Sequence, residues 1–257
     1  LLDVVCAALM PASFVPRICF VFTQPRSGST LLLATLASSR RVWCKGEILN
    51  PHYLRYGNFQ NSPQWRRNLH VKALLSLFPA VYVNLCRYLY SIIFGGHCIP
   101  FVQILVVKIF LYHVHDDDYD SSCVIVPLPH LFNLVNSMET AMCIRLYRQC
   151  LMSTYASLKV ALFNDIWVAT SENELSSEIQ SPISIDVLEF ESWADAERKI
   201  WQEFNVHLLA VTSDRKAPKK LVVIRYEDLA SSPGDVCRDI LKTLLDVEEV
   251  ENNASER

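Results

Sequence analysis

The passage from a buried strand into a helix near the start of the chain constrains its fold most. Ile18-Cys19-Phe20-Val21-Phe22 is an apolar run of strand type, and Leu31-Leu32-Leu33-Ala34-Thr35-Leu36-Ala37-Ser38 reads as a helix. Pro25-Arg26-Ser27-Gly28-Ser29-Thr30 joins them and leaves room only for a tight turn. A helix entered from a glycine-containing turn presents free backbone N–H groups and the positive end of its dipole. Such a turn holds a phosphate-like anion, with Gly28 shaping the backbone and Arg26, Ser27, Ser29 and Thr30 adding side-chain donors. The competing reading is plain helix capping by Ser, Gly and Thr. The loop is not a Walker A sequence, because both the G-x-x-x-x-G-K-[ST] spacing and its lysine are absent.

The same strand–turn–helix grammar recurs. Met142-Cys143-Ile144-Arg145-Leu146-Tyr147 reads as a strand leading into a helix over 149–167. Leu221-Val222-Val223-Ile224-Arg225 reads as another, followed by Tyr226-Glu227-Asp228-Leu229, Ser232-Pro233 and a periodic helix over 234–245. Further strands are expected at 42–44, 104–111 and 124–126, and further helices at 65–93, 129–138 and 192–209, the last with Trp193, Ile200, Trp201, Phe204 and Leu208 inward. Strands alternating with helices predict an α/β fold, a P-loop-like three-layer domain with a mostly parallel central sheet flanked by helices. The chain's 257 residues suffice for one such domain. We place it at 18–247, after an uncertain segment 1–17 and before a polar tail 248–257.

At this point the chain resembles the PAPS-dependent sulfotransferases. The nearest branch uses an Arg-Ser-Gly-Ser-Thr loop and includes bacterial glycolipid and carbohydrate sulfotransferases. The loop at 25–32, the Arg…Ser segment at 148–157 and the Tyr-Glu-Asp-Leu segment at 226–229 stand in family order. Together they span roughly 18–245. The resemblance implies transfer of a sulfuryl group from the cosubstrate PAPS to a hydroxyl, with no metal expected. It also implies two anion pockets, one for the 5′-phosphosulfate at Arg26, Ser27, Gly28, Ser29 and Thr30, the other for the 3′-phosphate. Arg148 with Ser157 fits the second, because Arg148 stands at the strand-to-helix junction, though the spacing is one residue longer than in cytosolic relatives. Arg145 with Ser153 is the competing pair, disfavoured because Arg145 lies inside an apolar strand.

Transfer to an acceptor hydroxyl calls for in-line geometry and a base. By resemblance the base is Glu47, in the polar loop expected over Lys45–Gln64. His52, His113 and His115 are the alternatives on titration range, and Lys108 is a candidate for stabilising charge. Tyr226-Glu227-Asp228-Leu229 is read as structural. The implied acceptor is a hydroxyl-bearing small molecule, a glycan or a glycolipid. Two other classes compete: a phosphoryl-transfer enzyme, which would need the missing lysine, and a catalytically inactive sulfotransferase-like binding protein.

Composition excludes some partners and leaves others open. A net charge of −3 argues against a broad nucleic-acid surface. The nine cysteines show neither C-x-x-C pairs nor zinc spacing. Asp116–Ser122 reads as an acidic surface loop without EF-hand spacing. Residues 88–107 are apolar enough to span a bilayer, which raises membrane association. Gly95-Gly96-His97 and Pro100 interrupt them, so the other reading is a buried helix, a turn and a strand, with 85–100 an insertion. The start lacks the basic n-region of an intact signal peptide, and the Asn253-Ala254-Ser255 sequon is weak. Cytosol and Golgi therefore both stay open, as does oligomeric state.

Overall fold

Apolar sequence on both sides of a strand demands cover on both faces, and the central strands satisfy that demand. The computed structural model describes residues 16–47, 102–113, 128–137, 141–164, 183–212 and 220–245. Five parallel strands form its sheet: β1 (Arg17–Thr23), β2 (Val42–Glu47), β3 (Ile104–Phe110), β4 (Met142–Tyr147) and β5 (Lys220–Arg225). Their spatial order is β2-β3-β1-β4-β5. All seven residues of β3 are buried, and six of the seven in β1, as expected of strands inside a parallel sheet.

Alternation along β1 divides the core. Cys19 and Val21 meet Leu32, Leu33 and Leu36 of α1 (Ser29–Ala37) and Cys237, Ile240 and Leu244 of α6 (Pro233–Leu245). Ile18, Phe20 and Phe22 face the other way. They meet Leu128, Leu131, Phe132 and Val135 of α2 (Leu128–Ser137) and Phe204 and Leu208 of α4 (Val187–Thr212). The Phe22 ring lies 5.7 Å from that of Phe132 and 4.8 Å from that of Phe204, and Trp201 closes edge-on against Phe204 at 5.5 Å. The domain is therefore a three-layer α/β arrangement with an all-parallel sheet. One helical layer is aliphatic, and the other adds the rings of Phe132, Trp201 and Phe204.

The crossovers position everything that follows. The β1–α1–β2 connection runs over one face, and the β3–α2–β4 connection over the other. Right-handed βαβ crossovers dictate this once the chain reverses its direction of travel across the sheet. Between β1 and β4 the outgoing loops diverge to opposite faces, opening a crevice at the carboxyl ends of the strands. The helix after β4, α3 (Leu151–Asn164), sits with α4, where the ring of Tyr155 contacts those of Phe190 and Trp193 at 5.5 and 5.1 Å.

Several sequence expectations shift. The strand expected at 42–44 runs to Glu47, so Glu47 ends β2 rather than lying in a loop. A register irregularity between Cys44 and Glu47 absorbs the extra residues. The strand expected over 104–111 stops at Phe110 and gives way to a 3₁₀ turn, Leu111–His113. Residues 104–107 of the apolar run are thus interior strand. Helix α4 starts at Val187 instead of Ser192, because Asp186 Oδ1 accepts the Glu189 N–H at 3.0 Å and caps it earlier. The marker Tyr226–Leu229 is itself helical, within α5 (Tyr226–Ser231). The expectations at 1–15, 48–101, 114–127, 165–182 and 246–257 lie outside the described residues. These include the helix 65–93, the insertion 85–100, the acidic loop, the strand 124–126 and the tail. Among the described residues no helix is long and apolar enough to cross a membrane, and Cys19, Cys44, Cys150 and Cys237 are in no disulfide.

Candidate functional site

The turn after β1 is built from backbone conformation. Gln24-Pro25-Arg26-Ser27 reverses the chain, with the Ser27 N–H donating to the Gln24 carbonyl at 3.4 Å. Proline at the second position and a positive φ at the third is the pattern of a type II turn. The third residue here is Arg26, at φ 63°, where an L side chain costs about 1–2 kcal/mol. Gly28 follows at φ 81° and caps α1 without any side-chain hydrogen bond. The first intrahelical bond runs from the Leu32 N–H to the Gly28 carbonyl at 3.0 Å. The N–H groups of the first turn thus carry no side-chain cap, which leaves the positive helix end for an anion. Ser27 and Ser29 are buried in this turn, and Thr30 is exposed.

What holds Arg26 in a strained conformation comes from across the crevice. Its Nε donates to Ser157 Oγ of α3 at 2.9 Å, linking the β1 turn to the helix after β4. Arg148, one residue past β4, lays its guanidinium 4.6 Å from the centre of the Tyr226 ring. That ring also fills the space beside Gly28: a Cβ there would stand 2.2 Å from Tyr226 Cδ2. Burial, and secondarily the Arg148 charge, hold the Arg26 guanidinium below its ordinary range. Two cations repelling each other at the carboxyl end of the sheet form a place that an anion would relieve. The two glutamate oxygens of Glu227 accept the Gln149 N–H at 3.1 and 3.3 Å, bracing the β4–α3 turn from α5. Asp228 takes the Arg225 guanidinium at 2.8 and 2.9 Å.

The expected residues therefore separate into groups. Arg26, Ser27, Gly28, Ser29, Arg148 and Ser157 come together at the crevice between β1 and β4, with Thr30 on the exposed side of the helix start. Arg145 points elsewhere. Its guanidinium stacks 5.0 Å from the Tyr147 ring and 4.8 Å from Trp201 of α4, with Nε buried and without a partner among the described residues. Burial holds it below its ordinary range. Ser153 turns to the Cys150 sulfur at 3.1 Å, a hydrogen bond that lowers the thiol's pKa. Glu47 stands at the carboxyl end of β2, its register partner being Lys108, with β3 between it and β1. Two strand spacings put its backbone about 10 Å from β1. Lys108 is buried, its ammonium 4.6 Å from the centre of the Phe110 ring, rather than at the sheet's edge. His113 ends the 3₁₀ turn, and His52 and His115 lie outside the described residues. Among the described residues no group of three or more His, Cys, Asp or Glu could hold a metal ion.

Sequence reasoning missed two participants. Tyr226 was legible as part of a marker, but its contact with Gly28 across almost two hundred residues carries no local signal. Gln24 is 2% exposed, and neither its Oε1 nor its Nε2 has a hydrogen-bond partner among the described residues. A buried carboxamide left unpaired costs about 1–3 kcal/mol. Its only signal in sequence is a polar residue directly after an apolar strand. No family model matches this chain, and no curated protein matches it in sequence.

Proposed function

We propose that this chain is a PAPS-dependent sulfotransferase that transfers a sulfuryl group to a hydroxyl, on a carbohydrate or glycolipid, by in-line displacement. One observation carries the reading: Arg26 and Ser157, bonded at 2.9 Å, and Arg148 on Tyr226 converge from two different crossovers on one crevice. PAPS carries two separated anionic groups, and the crevice offers two guanidiniums on separate elements to meet them. The residues present fit it. The uncapped start of α1 with Arg26, Ser27, Gly28, Ser29 and Thr30 suits the 5′-phosphosulfate, and Arg148 with Ser157 suits the 3′-phosphate. When bound, PAPS supplies a sulfuryl group already attached to a phosphate leaving group.

The chain's own residues then have distinct tasks. Arg26 and the α1 N–H groups stabilise charge that grows on the leaving side, held in place before reaction and so without reorganisation. Arg148, fixed on the Tyr226 face, orients the nucleotide. Glu47 is the base in this reading and takes the acceptor's proton from the carboxyl edge of β2. The phosphoryl-transfer alternative lacks a loop lysine. The experiment is paired: calorimetric binding of PAP, the desulfated product, and transfer from labelled PAPS to glycans, glycolipids and small alcohols. Binding of PAP in preference to ATP with magnesium, together with labelled product, is the expected result. A preference for magnesium–ATP sinks the proposal, and PAP binding without transfer to any acceptor leaves the inactive relative standing. Glu47→Gln should lower single-turnover rate by about two to four orders of magnitude with PAPS binding intact. Near-normal transfer removes Glu47 from the role.

A further inference from the structure

Gln24 is the one fully buried carboxamide beside the candidate site whose donor and acceptor are both left over among the described residues. Its backbone is committed, the carbonyl receiving the Ser27 N–H at 3.4 Å and the Thr23 hydroxyl at 3.2 Å. The residue's backbone thus stands at a fixed point, one residue past the carboxyl end of β1, in the strand-to-helix turn that leads to an uncapped helix start. The residues that follow it, Pro25 and Arg26, are half-buried rather than sealed. A ligand that reaches Arg26 arrives two residues away.

The chemistry of the leftover atoms narrows the ligand to a neutral group that offers a donor and an acceptor side by side. An anionic oxygen would satisfy Nε2 alone and would repel Oε1. A lone hydroxyl cannot comfortably serve both ends of one planar carboxamide. Two neighbouring hydroxyls can, one accepting from Nε2 and the other donating to Oε1. We propose that Gln24 is an acceptor-reading residue that engages a vicinal diol, the group a sugar ring presents. The inference rests on the sulfotransferase reading above and deepens it: the guanidiniums of Arg26 and Arg148 take the nucleotide's anions, and the neutral carboxamide takes the sugar. A site built around hydrogen bonds to hydroxyls discriminates against analogues that lack them, because its own polar atoms are then stranded.

The test compares the full chain with Gln24→Met and Gln24→Leu, which keep the volume and remove both polar ends. Without ligand, the thermal midpoint of both variants should be unchanged or raised by about 2–4 °C, because an unpaired buried polar group is gone. PAP affinity, by calorimetry, should be unchanged. Transfer from labelled PAPS to a panel of alkyl glycosides should lose about 10- to 100-fold in kcat/KM, with simple monohydric alcohols affected no more than twofold or so. A lowered midpoint or failure to fold in both variants overturns the proposal, since it gives Gln24 a structural partner. Loss of PAP affinity in the variants also overturns it, assigning Gln24 to the nucleotide while the sulfotransferase reading stands. If the parent chain binds no PAP, the sulfotransferase reading itself fails and takes the diol assignment with it. If the parent binds PAP but transfers to no glycoside, the diol assignment alone is overturned.

Discussion

The two crossovers that meet at the crevice do the same job by different means. After β1, the backbone makes the site: Arg26 and Gly28 both adopt positive φ, and α1 begins without a side-chain cap. After β4, side chains make it. Arg148 rests on Tyr226, the Gln149 N–H is held by Glu227, and the Thr154 N–H and hydroxyl both return to the Cys150 carbonyl at 3.1 Å. The first turn leaves no room for a Cβ at Gly28, because the Tyr226 ring already fills that space. The second tolerates substitution piece by piece, because its parts are separate contacts, two of them borrowed from α5. Tyr226 belongs to both: it fills the space beside Gly28 and supports Arg148.

Gly28→Ala strikes the backbone-built side and should have the largest effect. The new Cβ would lie 2.2 Å from Tyr226 Cδ2, at a φ of 81° that alanine disfavours. Strain and overpacking together should destabilise the chain by about 3 kcal/mol and abolish PAP binding. Denaturant titration measures the first. Adding Tyr226→Ala should recover the overpacking share, and a double mutant no more stable than Gly28→Ala alone would show that the ring is not the obstacle.

The second crossover leans on α4, and Glu197 lies in the inward stripe of that helix, 9% exposed. Burial pushes its carboxyl up to about 7. A carboxyl raised on folding binds its proton more tightly in the native state. It therefore costs stability as pH rises from about 4.5 to about 7, and the full penalty applies above that. Glu197→Gln should stabilise the chain by up to about 3 kcal/mol at pH 8 and by little near pH 4. Urea midpoints across that range decide it, and a gain independent of pH would contradict a buried titrating carboxyl.

Arg148→Ala tests the side-chain-built half directly. PAP affinity should fall by about 1.5–3 kcal/mol, while a ligand lacking the 3′-phosphate binds as before. Arg145→Ala should leave both affinities alone and act on stability, since its guanidinium stacks on Trp201 and Tyr147. The reverse ranking would move the second pocket to the α4 side of β4. The smallest effect belongs to Glu227→Gln. Its two-pronged acceptance of the Gln149 N–H is solvent-exposed, so the thermal midpoint should drop by no more than about 2 °C. A large loss of PAP affinity would instead make this brace an essential part of the pocket.

The sequence on its own determined the parallel α/β layering and the strand–turn–helix passage after β1. Ile18–Phe22 is apolar without alternation and Ile104–Phe110 is broken only by Lys108, and only a sheet covered on both faces accepts such strands. A turn of proline, arginine, serine and glycine before a leucine-rich helix likewise has few ways to be built. Such features are local, because propensity and periodicity act within a few residues. Element ends were less legible: capped by Asp186, α4 starts five residues before the helix that the apolar rhythm predicts, and Glu47 joins β2 only because β3 is there to pair with it. What only tertiary structure decided is which side chains meet. Arg26 and Ser157 are 131 residues apart, and Gln149 and Glu227 are 78 apart. Whether Arg145 or Arg148 reaches the crevice depended on Arg145 lying within β4, on Arg148 lying one residue past its end, and on what α4 and α5 offered them. Trp201 captures the first and Tyr226 the second. Gln24 shows the same limit: a polar residue after a strand is unremarkable in a sequence, and only the folded chain reveals that nothing among the described residues answers its two ends. The physical reason is that contact partners are chosen by sheet order and crossover hand, which bring distant segments together without any trace in the residues between them.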